Sequence, residues 1–386
     1  MGAQSQLQTP VSAAQEVLTV PFFDLRRQYR AIHDEIDRAI SGVLEQGIFV
    51  GEPYVSRFED KFAAYVGADY CVGVSSGTSA LELTLRAFGI GAGDEVIVPV
   101  NTFIATAEAV LAVGALPVFA DISDISYNLD PNDVVGRISS HTKAIIAVDL
   151  YGQPADLNVL AGIAASRGLV MIEDACQAHG AKFGDRRVGS ISHATCFSFY
   201  PSKNLGAYGE GGAVTTDDAA LADKLRLLRD HGSRTKYRHE APGYNHRLHA
   251  LQAAILSVKL AHLDDWIGAR RRVAAQYDRL LVGSSVITPR ELPGRQHSYH
   301  LYVVRVAGRD FVQKKLAAAG VSSGIHYPIP LHLQPVMSSL HYVKGDFPHA
   351  ETCASTILSL PIFPELCTYE VEYVAEQLMR SLIRSQ

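Results

Sequence analysis

The sequence predicts an α/β protein built around a mostly parallel sheet, and three features of the chain support that prediction. Short apolar runs alternate with amphipathic helical stretches between residues 70 and 200, as in proteins whose helices cover both faces of a parallel sheet. A long segment with almost no glycine or proline, residues 249–281, then leads into a C-terminal part of different texture. The 386 residues are 47% hydrophobic and 19% charged, so the chain has enough apolar material for a substantial core.

The individual elements follow from local residue patterns. Apolar residues recur at helical spacing in residues 28–44, which predicts an N-terminal helix. Six apolar runs predict strands at residues 70–75, 95–100, 117–122, 144–150, 169–173 and 194–200. Helices are predicted at residues 79–88, 105–113 and 157–166 between these strands, and at 249–281 beyond them. The C-terminal part is expected to contain a strand at 299–306, helices at 310–319 and 371–383, and a proline- and histidine-rich loop at 326–335.

Charge and cysteine content argue against several classes of protein. The chain has 35 basic and 40 acidic residues, so no general basic field is available to hold a nucleic acid. Five cysteines without a C-x-x-C pair argue against a disulfide framework or zinc ribbon and favour a reducing compartment. The first twenty residues lack the pattern of a signal peptide, and no apolar run approaches the roughly 18 residues of a membrane span. We therefore expect a cytoplasmic protein.

A turn rich in serine and threonine, residues 75–80, follows the first predicted strand and opens a helix. Gly77 presents backbone N–H groups there at the positive end of the helix dipole, which suits a phosphate dianion. An ordinary helix N-cap is the alternative, because serine and threonine are common at that position. Residues 89–93 resemble a dinucleotide glycine motif, but they follow a helix instead of a strand, so we interpret them as a helix C-cap and turn.

Two further motifs stand where predicted strands end. Glu173 and Asp174 close one strand, and a carboxylate at that place could pair with a cationic ring nitrogen or a metal, or could cap a helix. Lys203 lies in a glycine-rich turn after another strand, where it is either a partly buried amine nucleophile of lowered pKa or a solvated surface lysine. A phosphate site, a carboxylate and a lysine are the three groups that pyridoxal phosphate requires.

Histidines and aromatic residues in two loops provide weaker candidates. Four histidines between residues 326 and 349 lie among prolines and lack an H-E-x-x-H pattern, so the sequence predicts no metal site there. Substrate contacts or loop packing explain these histidines better. Residues 237–247 form a polar, aromatic stretch just before the long helix, and the alternative to a functional role is a plain surface loop.

These motifs together resemble the DegT/DnrJ/EryC1/StrS family of sugar aminotransferases. Within that family the sequence is most similar to the enzymes that aminate C3 of dTDP-3-keto-6-deoxyhexoses. The resemblance extends from about residue 21 to residue 364 and rests on seven strings in a fixed order. They are SGTSAL at 76–81, NTFIAT at 101–106, LYGQPAD at 150–156, EDACQAHG at 173–180, FSFYPSKNLG at 197–206, GYNHRL at 243–248 and HYP at 326–328.

The resemblance implies the pyridoxal-phosphate transferase fold of type I, which is the fold of aspartate aminotransferase. A large domain with a mostly parallel seven-stranded sheet is expected at residues 21–265, after a flexible arm at 1–20. A small α+β C-terminal domain is expected at residues 266–386. The family also implies a homodimer whose active sites are shared between the subunits.

The resemblance assigns a role to each residue of the expected site. Lys203 would bind the cofactor aldehyde covalently as the catalytic residue, Asp174 would pair with the ring nitrogen and Gln177 would contact the ring hydroxyl. The other expected cofactor contacts are Gly77, Thr78 and Ser198 to the phosphate, Phe103 stacked on the ring, and Asn245 to the phosphate of the neighbouring subunit's cofactor. Substrate contacts are expected from Tyr237, His326 and Tyr327.

The expected reaction is transfer of an amino group from L-glutamate to a keto carbon of a nucleotide-linked deoxysugar. Relatives that act as dehydratases carry histidine where this chain has Lys203, so transamination is favoured. A 4-aminotransferase for a UDP-, GDP- or dTDP-4-keto-6-deoxyhexose is the alternative, and a regulator that binds the cofactor is a further one. His249 departs from the aspartate that is usual in the family, which concerns the start of the long helix or a subunit contact.

Overall fold

A computed structural model describes residues 18–382, in which a seven-stranded sheet carries helices on both faces. The predicted α/β class and the mostly parallel sheet are confirmed. The strands are β1 Tyr70–Val74, β2 Glu95–Pro99, β3 Leu116–Ala120, β4 Thr142–Val148, β5 Val170–Asp174, β6 Lys182–Phe183, β7 Arg186–Arg187, β8 Ala194–Ser198, β9 Gly212–Thr216, β10 Ser233–Thr235, β11 Arg238–His239, β12 Arg295–Gln296, β13 Tyr302–Arg305 and β14 Ile357–Leu360.

The large sheet has the strand order β1-β9-β8-β5-β4-β2-β3. All six predicted strands belong to it, each within a few residues of its expected bounds. The pairs from β8 through β5, β4 and β2 to β3 are parallel, whereas β9 runs antiparallel to both of its neighbours. The sequence analysis missed β9, because this strand begins in the glycine-rich segment that reads as a turn.

Helices cover the sheet, and those predicted between strands are present. Four were not predicted, namely those at 54–66, 131–137, 219–229 and 348–356. The bounds of the helices are α1 Leu25–Gln46, α2 Tyr54–Val66, α3 Gly77–Ala87, α4 Ala105–Ala112, α5 Pro131–Arg137, α6 Leu157–Arg167, α7 Ala219–Arg229, α8 Ala250–Leu280, α9 Arg309–Ala318, α10 Pro348–Thr356 and α11 Thr368–Leu382.

The parallel strands are buried on both faces, which explains why their sequences are nearly continuous apolar runs. In β2, Val96 and Val98 belong to the core that lies between the sheet and α3. Ile97 points the other way, into the core shared with α6. All three side chains are fully buried. The strands therefore form a rigid layer, and their carboxyl ends hold the polar residues that follow them at one edge.

A second core lies in the C-terminal part of the chain. Strands β13 and β14 pair antiparallel, and α9 and α11 pack near them. Tyr277 of α8 contributes to this core, with its ring centroid 4.9 Å from that of Tyr302. Leu256, in the N-terminal half of α8, belongs instead to the core of the large sheet. The same long helix thus packs in both regions, while the domain boundaries at 21–265 and 266–386 remain a prediction.

The end of the N-terminal arm and the start of the long helix are both held by backbone contacts. Residues 1–17 of the expected N-terminal arm lie outside the described residues; at its end, Val20 is buried and pairs with Val321. The long helix begins next to His249, whose side chain makes no capping hydrogen bond. The N–H of Ala250 instead donates to the carbonyl of Phe49 at 3.0 Å. This bond satisfies the first N–H of the helix, whereas a capping aspartate would accept from the second or third, so the bond does not replace a side-chain cap.

None of the helices within residues 18–382 is long and apolar enough to cross a membrane.

Candidate active site

A cavity of about 520 Å³ opens at the edge of the sheet where the parallel strands end. Side chains from the N-terminus of α3, the ends of β5 and β8, and the C-terminal part of the chain meet around it. It contains nine of the residues that the sequence analysis singled out. They are Gly77, Thr78, Phe103, Asp174, Gln177, Ser198, Lys203, His326 and Tyr327.

The serine- and threonine-rich turn forms both an N-cap and an open helix terminus. Ser76 Oγ accepts from the N–H of Ser79 at 3.1 Å, and Ser79 Oγ accepts from the N–H of Ser76 at 2.8 Å. These two serines therefore close a capping box on α3. Gly77 and Thr78 come next in the first turn, where a helix leaves N–H groups without intrahelical acceptors, and both line the cavity.

Gly77 has no room for a side chain. A Cβ atom at this position would lie 2.7 Å from Cβ of Ser198 and 2.8 Å from Sγ of Cys176. The last residue of β8 and the loop that follows β5 thus close on the backbone of the helix terminus. This close approach leaves the backbone N–H groups and the hydroxyls of Thr78 and Ser198 together at one end of the cavity, a donor set that suits a phosphate group.

Asp174 is the last residue of β5 and is almost completely buried. Its Oδ2 accepts from Thr106 Oγ1 at 2.8 Å, and its Oδ1 accepts from the N–H of Cys176 at 3.2 Å. The chain continues into turns, so the alternative that Asp174 caps a helix is wrong. Both donors are neutral groups, so neither cancels the negative charge of the carboxylate. Asp174 lines the cavity and can therefore pair with a cationic ring nitrogen there.

Glu173, the other half of the acidic pair, points to the opposite face of the sheet. Its Oε2 accepts from Thr195 Oγ1 at 2.8 Å, and its other oxygen faces the side chain of Asp149. Both carboxyl groups are fully buried, and burial raises the pKa of each. A shared proton between them is the arrangement that avoids two adjacent buried charges. Only Asp174 of the pair therefore serves the cavity.

Lys203 lies in a tight turn directly after β8. Its N–H donates to the carbonyl of Tyr200 at 2.9 Å, which fixes the turn, and its side chain is partly buried against the cavity. Burial lowers the pKa of the Lys203 amine below its usual value, since a charged amine is poorly solvated there. The alternative of a solvated turn lysine is therefore wrong, and the amine is suited to act as a nucleophile.

Gln177 links the cavity to the C-terminal part of the chain. Its Oε1 accepts from the N–H of Tyr151 at 2.8 Å, and its Nε2 donates to the hydroxyl of Tyr327 at 3.2 Å. The hydroxyl of Tyr151 donates to the carbonyl of His326. Phe103 stands over the same region, with its ring centroid 5.7 Å from that of Tyr327. These contacts hold one side of the cavity in a fixed shape.

Two predicted site residues lie away from the cavity of the described chain. Asn245 pairs with Asp230 through the backbone, and the next residue, His246, accepts from the N–H of Ser75 at 2.9 Å. Asn245 thus lies beside the phosphate-type turn but does not line the cavity. Tyr237 lies in the turn between β10 and β11 and is 84% exposed. Neither residue therefore lines the cavity of its own chain.

Sequence reasoning missed several residues that line the cavity. His300 is the clearest case, because its Nδ1 is buried and has no hydrogen-bond partner among the described residues. Burial, and then the charge of Lys203, keep its pKa well below the usual value, so the imidazole is neutral. Thr106, Cys176 and Glu210 are further examples. No spacing pattern marks His300, since only the packing of the C-terminal part against the sheet brings it to Lys203.

The histidines of the C-terminal loop serve separate roles. His326 lines the cavity, and its Nδ1 lies 2.8 Å from Oγ of Ser359. His332 is buried, with its Nε2 3.1 Å from Oε1 of Glu351. Within residues 18–382, no group of three or more His, Cys, Asp or Glu side chains is placed to hold a metal ion.

The three parts of the cavity fit pyridoxal phosphate in kind and in order. Backbone N–H groups and hydroxyls at the start of α3 suit its phosphate, the Asp174 carboxylate suits its ring nitrogen, and the Lys203 amine suits its aldehyde. The cavity volume of about 520 Å³ lies within the range of small-molecule sites. These residues therefore fit the cofactor.

Comparison with known proteins supports this interpretation. Residues 30–379 match the model of the DegT/DnrJ/EryC1/StrS aminotransferase family. The family depends on pyridoxal phosphate, and solved structures of relatives carry this cofactor or its amino form.

Individual relatives are similar over nearly the whole chain. The dTDP-3-amino-3,4,6-trideoxy-alpha-D-glucose transaminase of Streptomyces venezuelae is 46% identical over 357 residues, 92% of this chain and 94% of that protein. A protein of Geobacillus stearothermophilus named pleiotropic regulatory protein is 47% identical over 364 residues, 94% and 98% of the two chains. The crystal structure of S. venezuelae DesV superposes with a TM-score of 0.94 at 44% identity and covers 95% of this chain and 100% of that one.

Proposed function

We propose that this chain, which belongs to the DegT/DnrJ/EryC1/StrS aminotransferase family and is a sugar-nucleotide aminotransferase, aminates C3 of a dTDP-linked 3-keto-6-deoxyhexose. L-Glutamate is the proposed amino donor. The observation that carries the proposal is the meeting of the Lys203 amine, the Asp174 carboxylate and the open terminus of α3 in one cavity.

The cofactor, when bound, supplies an electron sink that makes a proton of the amino carbon removable. Asp174 then has an electrostatic task. Its carboxylate would keep a proton on the ring nitrogen, and the bonds from Thr106 and the N–H of Cys176 hold the carboxylate at the cavity. The N-terminus of α3 would hold the phosphate through N–H groups of Gly77 and Thr78. Asp174 and this terminus would thus hold two parts of the cofactor in the cavity that Lys203 also lines.

Lys203 has two successive tasks at its Nζ. The amine would hold the cofactor at its aldehyde, and the same amine, once free, would take up and return a proton at the donor carbon. A lowered pKa serves both tasks, because the neutral amine is the nucleophile and the base. His300 and His326 line the same cavity, and burial together with the charge of Lys203 lowers the pKa of each, so both imidazoles are neutral.

The name of one relative favours the C3 position. The S. venezuelae transaminase is named for a dTDP-3-amino sugar, and it matches this chain over nearly its full length. The G. stearothermophilus relative is named a regulatory protein, which favours the regulator as a second candidate. The presence of both the Lys203 amine and the Asp174 carboxylate argues for an enzyme. A regulator must bind the cofactor, but it does not need an amine that can act as a base.

A substrate panel tests the proposed function. We expect the dTDP-linked 3-keto-6-deoxyhexose to be aminated at C3 with kcat/KM at least about tenfold above the corresponding 4-keto and UDP-linked sugars. Purified enzyme with glutamate and pyridoxal phosphate is assayed on each sugar nucleotide, and NMR gives the position of the new amino group. A 4-amino product or a preference for UDP would overturn the assignment, and a lack of turnover with every sugar would favour the regulator.

We further propose that the active protein is a homodimer. Phe103 and Tyr200 line the cavity and are 51% and 49% exposed, and Phe49 and Val50 expose further apolar surface. Exposed aromatic rings at a cavity rim are typical of surfaces that a partner covers. Asn245 lies outside the cavity of its own chain, so a role at a cofactor phosphate requires the cavity of a second subunit.

Mixed dimers test this shared site. Lys203→Ala removes the amine but keeps Asn245, whereas Asn245→Asp adds repulsion toward the phosphate but keeps the amine. We expect each variant alone to be inactive, and the two together, after unfolding and joint refolding, to regain up to about a quarter of wild-type activity. Half of the randomly paired dimers are mixed, and each has one complete site of two. Proven mixed dimers without regained activity would show that Asn245 does not serve a partner's site.

A further inference from the structure

Lys259 is a fully buried lysine on α8, outside the cavity. Its Nζ donates to the carbonyl of Gly206 at 2.7 Å and lies 4.0 Å from the ring centroid of Tyr208. Among the described residues, no carboxylate lies within ion-pair distance of this amine. Burial lowers its pKa to about 7. An amine in such a place costs stability compared with an apolar side chain, so the bond that it makes deserves an explanation.

The carbonyl that Lys259 holds belongs to the turn that carries Lys203. Gly206 ends this turn, which folds back so tightly that a Cβ at Gly206 would lie 2.3 Å from the carbonyl oxygen of Pro201. The N–H of Ala207 then donates to the carbonyl of Phe199 at 2.8 Å and closes the loop. Lys203 lies in the middle of this closed loop, three residues before the carbonyl that the buried amine fixes.

A second contact from the same helix supports the arrangement. The N–H of Tyr208 donates to Oε1 of Gln252 at 2.9 Å. Gln252 and Lys259 are seven residues apart, so they lie on one face of α8, two turns from each other. On the opposite side, Nδ2 of Asn204 donates to the carbonyl of Ser298 at 3.1 Å. The loop is therefore held between α8 and the start of the C-terminal part, and Lys259 contributes a buried amine to this attachment.

We propose that Lys259 is a positioning residue for Lys203. Its amine fixes the Gly206 carbonyl and thereby the loop that aims the Lys203 amine into the cavity. The proposal rests on the proposed function in one respect, namely that Lys203 is the amine that binds the cofactor. Lys259 itself touches no reacting atom, because it lies behind the loop and not among the residues that line the cavity.

The chain offers a matched control for this test. Lys224 on α7 makes the same kind of bond, with its Nζ 2.6 Å from the carbonyl of Ala87. That carbonyl lies at the C-terminal end of α3, away from the Lys203 loop. Lys224→Met and Lys259→Met thus remove the same kind of amine-to-carbonyl bond, at an exposed lysine in the first case and at a buried one in the second. Lys259→Gln keeps a neutral donor and serves as the conservative variant.

The first measurement is hydrogen–deuterium exchange of the protein without cofactor. In Lys259→Met, we expect the amides of Ala207 and Tyr208 to exchange at least about tenfold faster, because the bond that fixes the neighbouring Gly206 carbonyl is lost. In Lys224→Met these amides should exchange as in the wild type, and Lys259→Gln should lie between wild type and Lys259→Met. If Lys259→Met does not fold, the comparison is made with Lys259→Gln. Unchanged exchange in a folded Lys259 variant would overturn the proposal.

The second measurement is the rate at which added pyridoxal phosphate attaches to Lys203, followed by absorbance. In the Lys259→Met variant, we expect the cofactor to attach to Lys203 about tenfold more slowly, since the Lys203 amine is less often aimed into the cavity. Lys224→Met should react at the wild-type rate, and an equal rate in Lys259→Met would contradict the positioning role. The exchange measurement needs no cofactor. If the wild type never binds pyridoxal phosphate, the proposed function is refuted, while the exchange result still tests the contact between Lys259 and the loop.

Discussion

Lys203→Ala is expected to abolish transamination while the protein stays folded. We expect kcat to fall on the order of 10⁴-fold, because alanine offers neither a nucleophile for the cofactor aldehyde nor a base for the donor carbon. The fold should persist, since the loop around Lys203 is held by backbone bonds such as that from its N–H to Tyr200. The unfolding free energy should change by less than about 1 kcal/mol. Steady-state kinetics with glutamate and thermal unfolding measure the two effects.

Lys61→Ala is the control for this substitution. Lys61 lies exposed on α2, so its removal should change neither turnover nor stability. A Lys203→Ala protein that turns over at the wild-type rate would remove this residue from the mechanism. A protein that loses activity only because it unfolds would reveal itself in the thermal measurement.

Asp174→Asn is expected to lower kcat roughly 10²-fold or more with little change in stability. The amide has the shape of the carboxylate and can keep contacts to Thr106 and to the N–H of Cys176. It lacks the negative charge that holds a proton on the ring nitrogen, so the electron sink weakens. Kinetics and thermal unfolding of the variant give the two quantities.

Asp218 provides the contrasting carboxylate. It caps α7 by accepting from the N–H groups of Ala220 and Leu221. Asp218→Ala should therefore lose about 1 kcal/mol of stability and keep normal kcat. If Asp174→Asn behaved in the same way, with turnover kept and stability lost, Asp174 would be a structural residue only.

The parallel part of the sheet could be predicted because burial on both faces leaves an uninterrupted apolar run. Strand β9 could not, since it opens with glycine and pairs antiparallel between β1 and β8. Helix α5 carried a start signal that went unused, with Asp130 as N-cap and Pro131 in the first turn. Local patterns thus predict the helices and strands whose apolar residues recur at regular spacing, while short elements depend on pairing with distant residues.

The same distinction applies to the site. Gly77, Asp174 and Lys203 stand where an element begins or ends, so the sequence places them at one edge of a parallel sheet. His300 reaches the cavity only because the C-terminal part packs against that edge. Lys259 reads as one more charge on a long helix, and its burial against Gly206 becomes visible only in three dimensions. No periodicity distinguishes such a residue from a solvated one.

Mapping the attachment point of the cofactor tests directly whether Lys203 is the amine that binds it. Purified protein is incubated with pyridoxal phosphate, treated with borohydride to fix the bond between the cofactor and the amine, digested and sequenced by mass spectrometry. We expect the protein's absorption band to be lost on reduction and the added mass to reside on Lys203, with the label absent from Lys203→Ala. A label on another lysine, or no label with the cofactor bound, would contradict it.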